Sequence, residues 1–162
     1  MSVSYKSDMR MSRRKSLTHN KKVIICTPEP TEWRFWDYKE NGNNQIEIWY
    51  DGLSEDAQNM FDSLLKSNRK VKNVVHWIGF RKFLKGILEG SKIWELGFYS
   101  AVQHRVLAYC GPERMQATLL IGCFHKQGVY DPPDTFATAL KRKSKLITGV
   151  AEHHERTIKT DR

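Results

Sequence analysis

His125, Lys126 and Tyr130 lie within six residues of one another in the stretch LLIGCFHKQGVYDPPDTFATALKRK, residues 119–143, where an apolar run gives way to a double proline. An imidazole, with a pKa near about 6.5, takes or gives a proton at neutral pH without much tuning. A lysine ammonium offers a cation, and a phenol, with a pKa near about 10, donates a proton or stacks on a flat ring. A trio of this kind at a strand end suits proton transfer beside an anion. The competing reading is an ordinary polar loop whose side chains face solvent.

The elements that must position these groups are legible on either side. KIWELGFYS, HRVLAY and QATLLIGCF read as strands, joined by the turn-forming links SAVQ and CGPERM, and consecutive short strands with short links are antiparallel. Pro132, Pro133 and Asp134 open a helix in which Phe136, Ala139, Leu140 and Ile147 share one side, KRKSK the other, with Gly149 at the end. Upstream, Trp33, Phe35 and Asp37 alternate before ENGNN, and Ile46, Ile48 and Tyr50 alternate after it, which predicts a hairpin whose second strand is the firmer one. From Ser54, an N-cap followed by Glu55 and Asp56, the residues Ala57, Met60, Phe61, Leu64 and Leu65 recur at helical spacing. After the polar KSNRKVKN, the positions Val74, Val75, Ile78, Phe83, Leu84, Ile87 and Leu88 predict a second helix, paired with the first as a helical hairpin. The expected fold is α+β in the order β(β)-αα-βββ-α: an N-terminal strand or hairpin, a helical hairpin, a three-stranded antiparallel meander and a C-terminal helix.

A chain of 162 residues, 40% hydrophobic and with five Trp, fits one folded domain by the usual span of roughly 100–200 residues per domain. The division predicted is a disordered basic arm over 1–30, the domain over 31–149 and a frayed tail over 150–162. Over residues 1–22 seven cations face Asp8 alone, so two thirds of the net charge of +9 belongs to that stretch. Cys26, Cys110 and Cys123 are odd in number and lack C-x-x-C spacing, which points to reduced thiols. No apolar run is long enough for a membrane span or shaped as a secretion signal, so no membrane partner is expected and the cytoplasm is the predicted location. His153 and His154 stand without a second pair at ligand spacing, and G-x-G-x-x-G, P-loop and G-x-S-x-G patterns are absent, so neither metal nor cofactor is predicted.

The element order, together with IWYDGLSEDAQNMFDSLL, KIWELGF, HRVLAY and LLIGCFHKQGVYDPPDTFATALKR in that order and spacing, resembles the RelE/ParE toxin superfamily, in its HigB-like, phage-derived branch, over about residues 45–147. The resemblance implies the RelE-like fold and the toxin of a type II toxin-antitoxin pair: an endoribonuclease that inhibits translation by cutting mRNA on the ribosome without a metal. It also implies a cognate antitoxin, a helix-turn-helix DNA-binding protein. Arg105 matches the family's Arg in the strand after Trp-Glu-Leu, and His125, Lys126 and Tyr130 match its basic and aromatic catalytic positions. Two departures reduce the cationic character: Gly97 stands where the family often carries Arg, and the Lys-rich run after Gly-x-Phe is thinned to HKQG.

Cleavage of this kind deprotonates a ribose 2′-OH, neutralises the phosphate oxygens and protonates the leaving 5′-oxygen. His125 suits either proton transfer, Lys126 and Arg105 the neutralisation, and Tyr130 proton donation or base stacking. Bland alternatives stand beside these roles: Arg105 pairing with Glu95 across neighbouring strands, and Tyr130 anchoring its turn by ring packing. Arg81, Lys82, Lys85, Lys92 and Arg114 offer a basic surface for RNA, although a solvated helix face accounts equally for the first three. His76, beside Trp77, reads as a helix residue with no chemical role. The competing functions are a catalytically inactive RelE/ParE-fold binding protein, with a gyrase-type target or another partner, and a small nucleic-acid-binding module working through its basic arm.

Overall fold

The computed structural model describes residues 28–84 and 90–159. The basic arm as far as residue 27, Cys26 and Lys85 lie outside the described residues. Within them the chain is α+β: a mixed open sheet of eight strands, with helices on both faces.

The strand β1 (Arg34–Glu40) alternates as its sequence requires, with Phe35 and Asp37 buried on the parity of Trp33. After the Asn41–Gly42 turn and the two-residue β2 (Asn43–Asn44), the chain enters α1 (Gln45–Asp51). A strand was expected here. Asn44 decides the matter, because its side chain accepts from the N–H groups of Ile46 and Glu47 and caps a helix; Ile46 and Tyr50, four residues apart, are then both buried, and Ile48 is exposed. Helix α2 (Glu55–Asn68) follows as predicted, capped by Ser54 and burying Ala57, Phe61, Leu64 and Leu65.

Over residues 74–84 the second predicted helix is not formed, and its Ile87 and Leu88 lie outside the described residues. Asn68 is fully buried, donates to Ile78 O (2.9 Å) and accepts from Ile78 N–H (2.8 Å), which fastens the incoming chain across the end of α2. Val74–His76 makes a single 3-10 turn with His76 exposed, Gly79 adopts φ +81°, and the edge strand β3 (Phe80–Phe83) begins. Trp77, which spacing alone placed on a helix, instead packs edge-on against Trp33, Phe35 and Trp94. The two-helix step of the fold is therefore α1 and α2, one element earlier in the chain than the sequence suggested.

The meander of β4 (Trp94–Tyr99), β5 (Gln103–Cys110) and β6 (Gln116–Lys126) is antiparallel throughout, as expected, and β7 (Val129–Asp131) folds back on the end of β6. β1 inserts parallel to β6, giving the order β2-β1-β6-β5-β4-β3. α1 and α2 cover one face, with Phe61, Leu65, Trp94, Leu96 and Val106 at its centre; α3 (Thr135–Ile147) covers the other, over Leu107, Leu120 and Cys123. The tail does not fray at residue 150. β8 (Glu152–Glu155) pairs antiparallel with β1, and Arg156 is buried against Asp37 (2.9 Å) and Glu47 (3.2 Å) with its guanidinium over the rings of Tyr50 and Phe61. Among the described residues, no helix is long and apolar enough to cross a membrane.

Candidate functional site

Strand register sorts the predicted residues by face. Gly97 pairs with Arg105, Arg105 with Cys123, Gln103 with His125, and His125 with Tyr130, so one line of alternation sets Arg105, His125 and Tyr130 on the α3 face. Lys126 is the next residue after His125 and so turns with Phe124 to the opposite face; the predicted quartet is a trio.

Glu95 is the hub of that trio. It stands diagonally across the sheet from Arg105, whose Nε lies 3.0 Å from its Oε1, with both side chains buried. The Tyr130 hydroxyl donates to the second carboxylate oxygen. Arg105 also donates from Nη2 to Gln103 Oε1 (2.6 Å) and from Nη1 to the His104 carbonyl (3.0 Å). The pairing of Arg105 with Glu95 foreseen as an alternative is thus present, and buried, where loss of one partner strands the other charge. Burial first, and then the bond to Glu95, push the Tyr130 phenol well above its ordinary pKa, which makes it a poor proton donor in this arrangement. Its ring lies between His125 (4.8 Å, edge-on) and Phe136 of α3 (4.7 Å), so Tyr130 braces the imidazole. Cys123 donates weakly to the Arg105 carbonyl, and burial pushes its thiol up to about 12.

Gly97 has a second consequence. A Cβ on it would sit 2.7 Å from Arg105 Nη1 and 2.9 Å from Arg81 Nε, so two guanidinium groups occupy the space that any side chain would fill. Arg81 reaches this place from the irregularity in β3 between Phe80 and Lys82, and Lys82 stands in register with Glu95. Arg81 is exposed and has no hydrogen-bond or ion-pair partner among the described residues. A guanidinium from the neighbouring strand therefore stands over position 97. A glycine inside a buried strand is the sequence signal for such a close approach.

The remaining basic candidates lie elsewhere. Arg114, in the link between β5 and β6 at the far end of the sheet, pairs with Glu29 (2.6 Å). Lys92 precedes β4 near Lys143, whose amine lies over the Tyr109 ring. Sequence reasoning missed Glu95 as an organiser, Gln103 as the support of Arg105, and the exposed ring of Phe124 on the other face. Compared with protein-family models, curated proteins and solved structures, the chain matches none of them.

Proposed function

We propose that the chain is a RelE/HigB-type toxin, a metal-free endoribonuclease that cuts mRNA, most effectively on the ribosome, in the cytoplasm, and is held in check by an antitoxin. The observation that carries this reading is the pair of guanidinium groups over Gly97 on the same face as the braced imidazole of His125. The order of strand, two helices, three-stranded meander and helix supports it. In this scheme the 2′-oxygen attacks phosphorus and the 5′-oxygen leaves, giving a 2′,3′-cyclic phosphate and a 5′-hydroxyl. His125 takes the 2′ proton and returns one to the 5′-oxygen. Arg105, fixed by Glu95 and Gln103, holds one phosphate oxygen and Arg81 another. Tyr130 is a positioning residue.

A second reading, a protein of the same shape that binds without cutting, is favoured by one observation: the Tyr130 hydroxyl and Arg105 Nε both face inward onto Glu95. Induced expression in bacteria, with pulse labelling of protein synthesis and mapping of new 5′-hydroxyl ends, separates the two. Under the nuclease reading, synthesis stops, cuts appear within translated regions, and His125→Ala and Arg81→Met each relieve the arrest while the protein stays soluble. Growth arrest that both variants leave unchanged would remove this site from the reaction.

A further inference from the structure

On the face opposite Arg105, the sheet end carries a column of rings. His104, 2% exposed, stacks on Phe98 at 4.6 Å and 11°, and Phe124 leans on His104 at 5.3 Å. Phe124 is the outer ring, 40% exposed, and it lies in a cleft of about 780 Å³. Ligand sites commonly enclose about 300–1,000 Å³ with a few polar groups around an apolar floor. Here the polar groups are Gln103, Lys126, Gln127 and Asp131. The Asp131 carboxylate is exposed and has no partner among the described residues. Gln103 gives its oxygen to Arg105 and so keeps its NH₂ as a donor. His125 and Gln103 line the cleft and also stand in register at the end of the site described above.

The geometry points to a guanine-binding pocket in this cleft, which takes the base of the RNA nucleotide next to the cut phosphate. The base lies flat on Phe124, whose ring is held in place from behind by His104 and Phe98; every base has such a face, so stacking supplies affinity without choice. Choice comes from Asp131. A carboxylate that accepts two parallel N–H bonds fits the N1–H and N2–H₂ edge of guanine, and adenine and uracil present no such pair. Lys126, excluded from the Arg105 face by strand alternation, then lies on the face where it meets the phosphate of the bound nucleotide. This inference rests on the RNA reading, and it names the base preference of that site.

The test is calorimetric or NMR titration of the full chain with the four ribonucleoside 5′-monophosphates and with 2′-O-methyl trinucleotides carrying a central guanine or adenine, none of which can be cut. The expected result is a guanine preference of about ten-fold, abolished by Asp131→Asn, and a loss of about ten-fold for all bases in Phe124→Ala. Phe124→Leu, which keeps an apolar cover over His104, should lose binding to a similar degree, so a folding defect in the alanine variant leaves the test intact. Equal affinity for the four bases, or leucine and asparagine variants that bind like the intact chain, would overturn the pocket. Binding of 5′-GMP as tight as that of the guanine trinucleotide would overturn the RNA strand as its source. Guanine preference in a chain that cuts no RNA would leave the pocket standing and remove the nuclease, so the two failures are separable.

Discussion

Two glycines on strands flanking β5 face opposite sides of the sheet, and they are filled in opposite ways. Gly122 pairs with Val106, and the ring of Trp49 from α1 lies on it so closely that a Cβ would sit 2.1 Å from that ring. Gly97 pairs with the preceding residue, Arg105, and is covered by two guanidinium groups. The same backbone demand, no side chain, serves packing on the helical-hairpin face and charge on the α3 face. A core ring is surrounded by atoms that cannot move far. Arg81 is an exposed, flexible side chain whose displacement costs little structure. Stability should therefore be concentrated on the first face and function on the second.

The largest effect should come from the C-terminal strap that locks the helical-hairpin side. Arg156→Met leaves Asp37, whose carboxyl burial already pushes above its ordinary range, without its charge partner. Breaking a buried pair in this way costs about 3–5 kcal/mol. Urea unfolding should show that loss, and a shift below about 1 kcal/mol, the size of an exposed pair, would mean that β8 and Arg156 merely rest on the sheet.

Next is Gly122→Ala, which drives the Trp49 ring away from the sheet and from its edge-on contact with Phe61 at 5.3 Å. Overpacking of this kind costs about 1–3 kcal/mol. Pairing it with Trp49→Leu should recover part of the loss. A double variant that is simply additive would show that Trp49 and Gly122 do not share one space.

The contrast between the faces also marks what sequence could show. The meander, α2 and α3 followed from apolar runs, helical spacing and turn residues, because the helices bury one regular stripe each and the meander strands are apolar runs buried on both faces and bounded by turns. The run Ile46, Ile48, Tyr50 fits a strand as well as a helix, and only the reach of Asn44 onto two backbone N–H groups settles it. Likewise Val74 to Leu84 keeps helical spacing while Asn68, upstream of that pattern, and Gly79, between its apolar positions, send the chain into β3. That Arg105, His125 and Tyr130 come to one face was legible because they lie on neighbouring strands with short links. Lys126 falls on the other face because strand alternation continues to the end of β6. The approach of Arg81 to Gly97 is a contact across β3 and β4 that no local pattern encodes.

Gly97→Ala tests the charged side of the comparison. Its methyl group would displace the exposed Arg81 guanidinium, Arg105 being held by Glu95, Gln103 and the His104 carbonyl, so cleavage and binding of uncut RNA should fall about ten-fold, near the worth of one hydrogen bond to a charged group, while the unfolding midpoint moves little. Arg81→Met should reproduce the functional loss. If Gly97→Ala instead destabilises the fold as much as Gly122→Ala does, the two faces are not divided as argued, and Arg105 with Glu95 belongs to the structural core.

The smallest effect is a dependence on acid, and it asks whether both faces share it. Burial lowers the pKa of His104 on the helical-hairpin face and of His153, which shares a hydrogen bond with Tyr109, on the α3 face. A lowered folded pKa means that near and below about pH 6.5 the unfolded chain binds protons that the folded chain does not. Stability is therefore held at neutral pH and falls as pH drops through the ordinary histidine range towards each folded value. His104→Phe keeps the ring column and removes one of these protons, so the acid-side slope of stability against pH should become shallower but remain. His153→Asn should remove a further part. Should His104→Phe flatten the slope completely, protonation opens the molecule at the strand end that carries Phe124, and the strap at β8 takes no part in it.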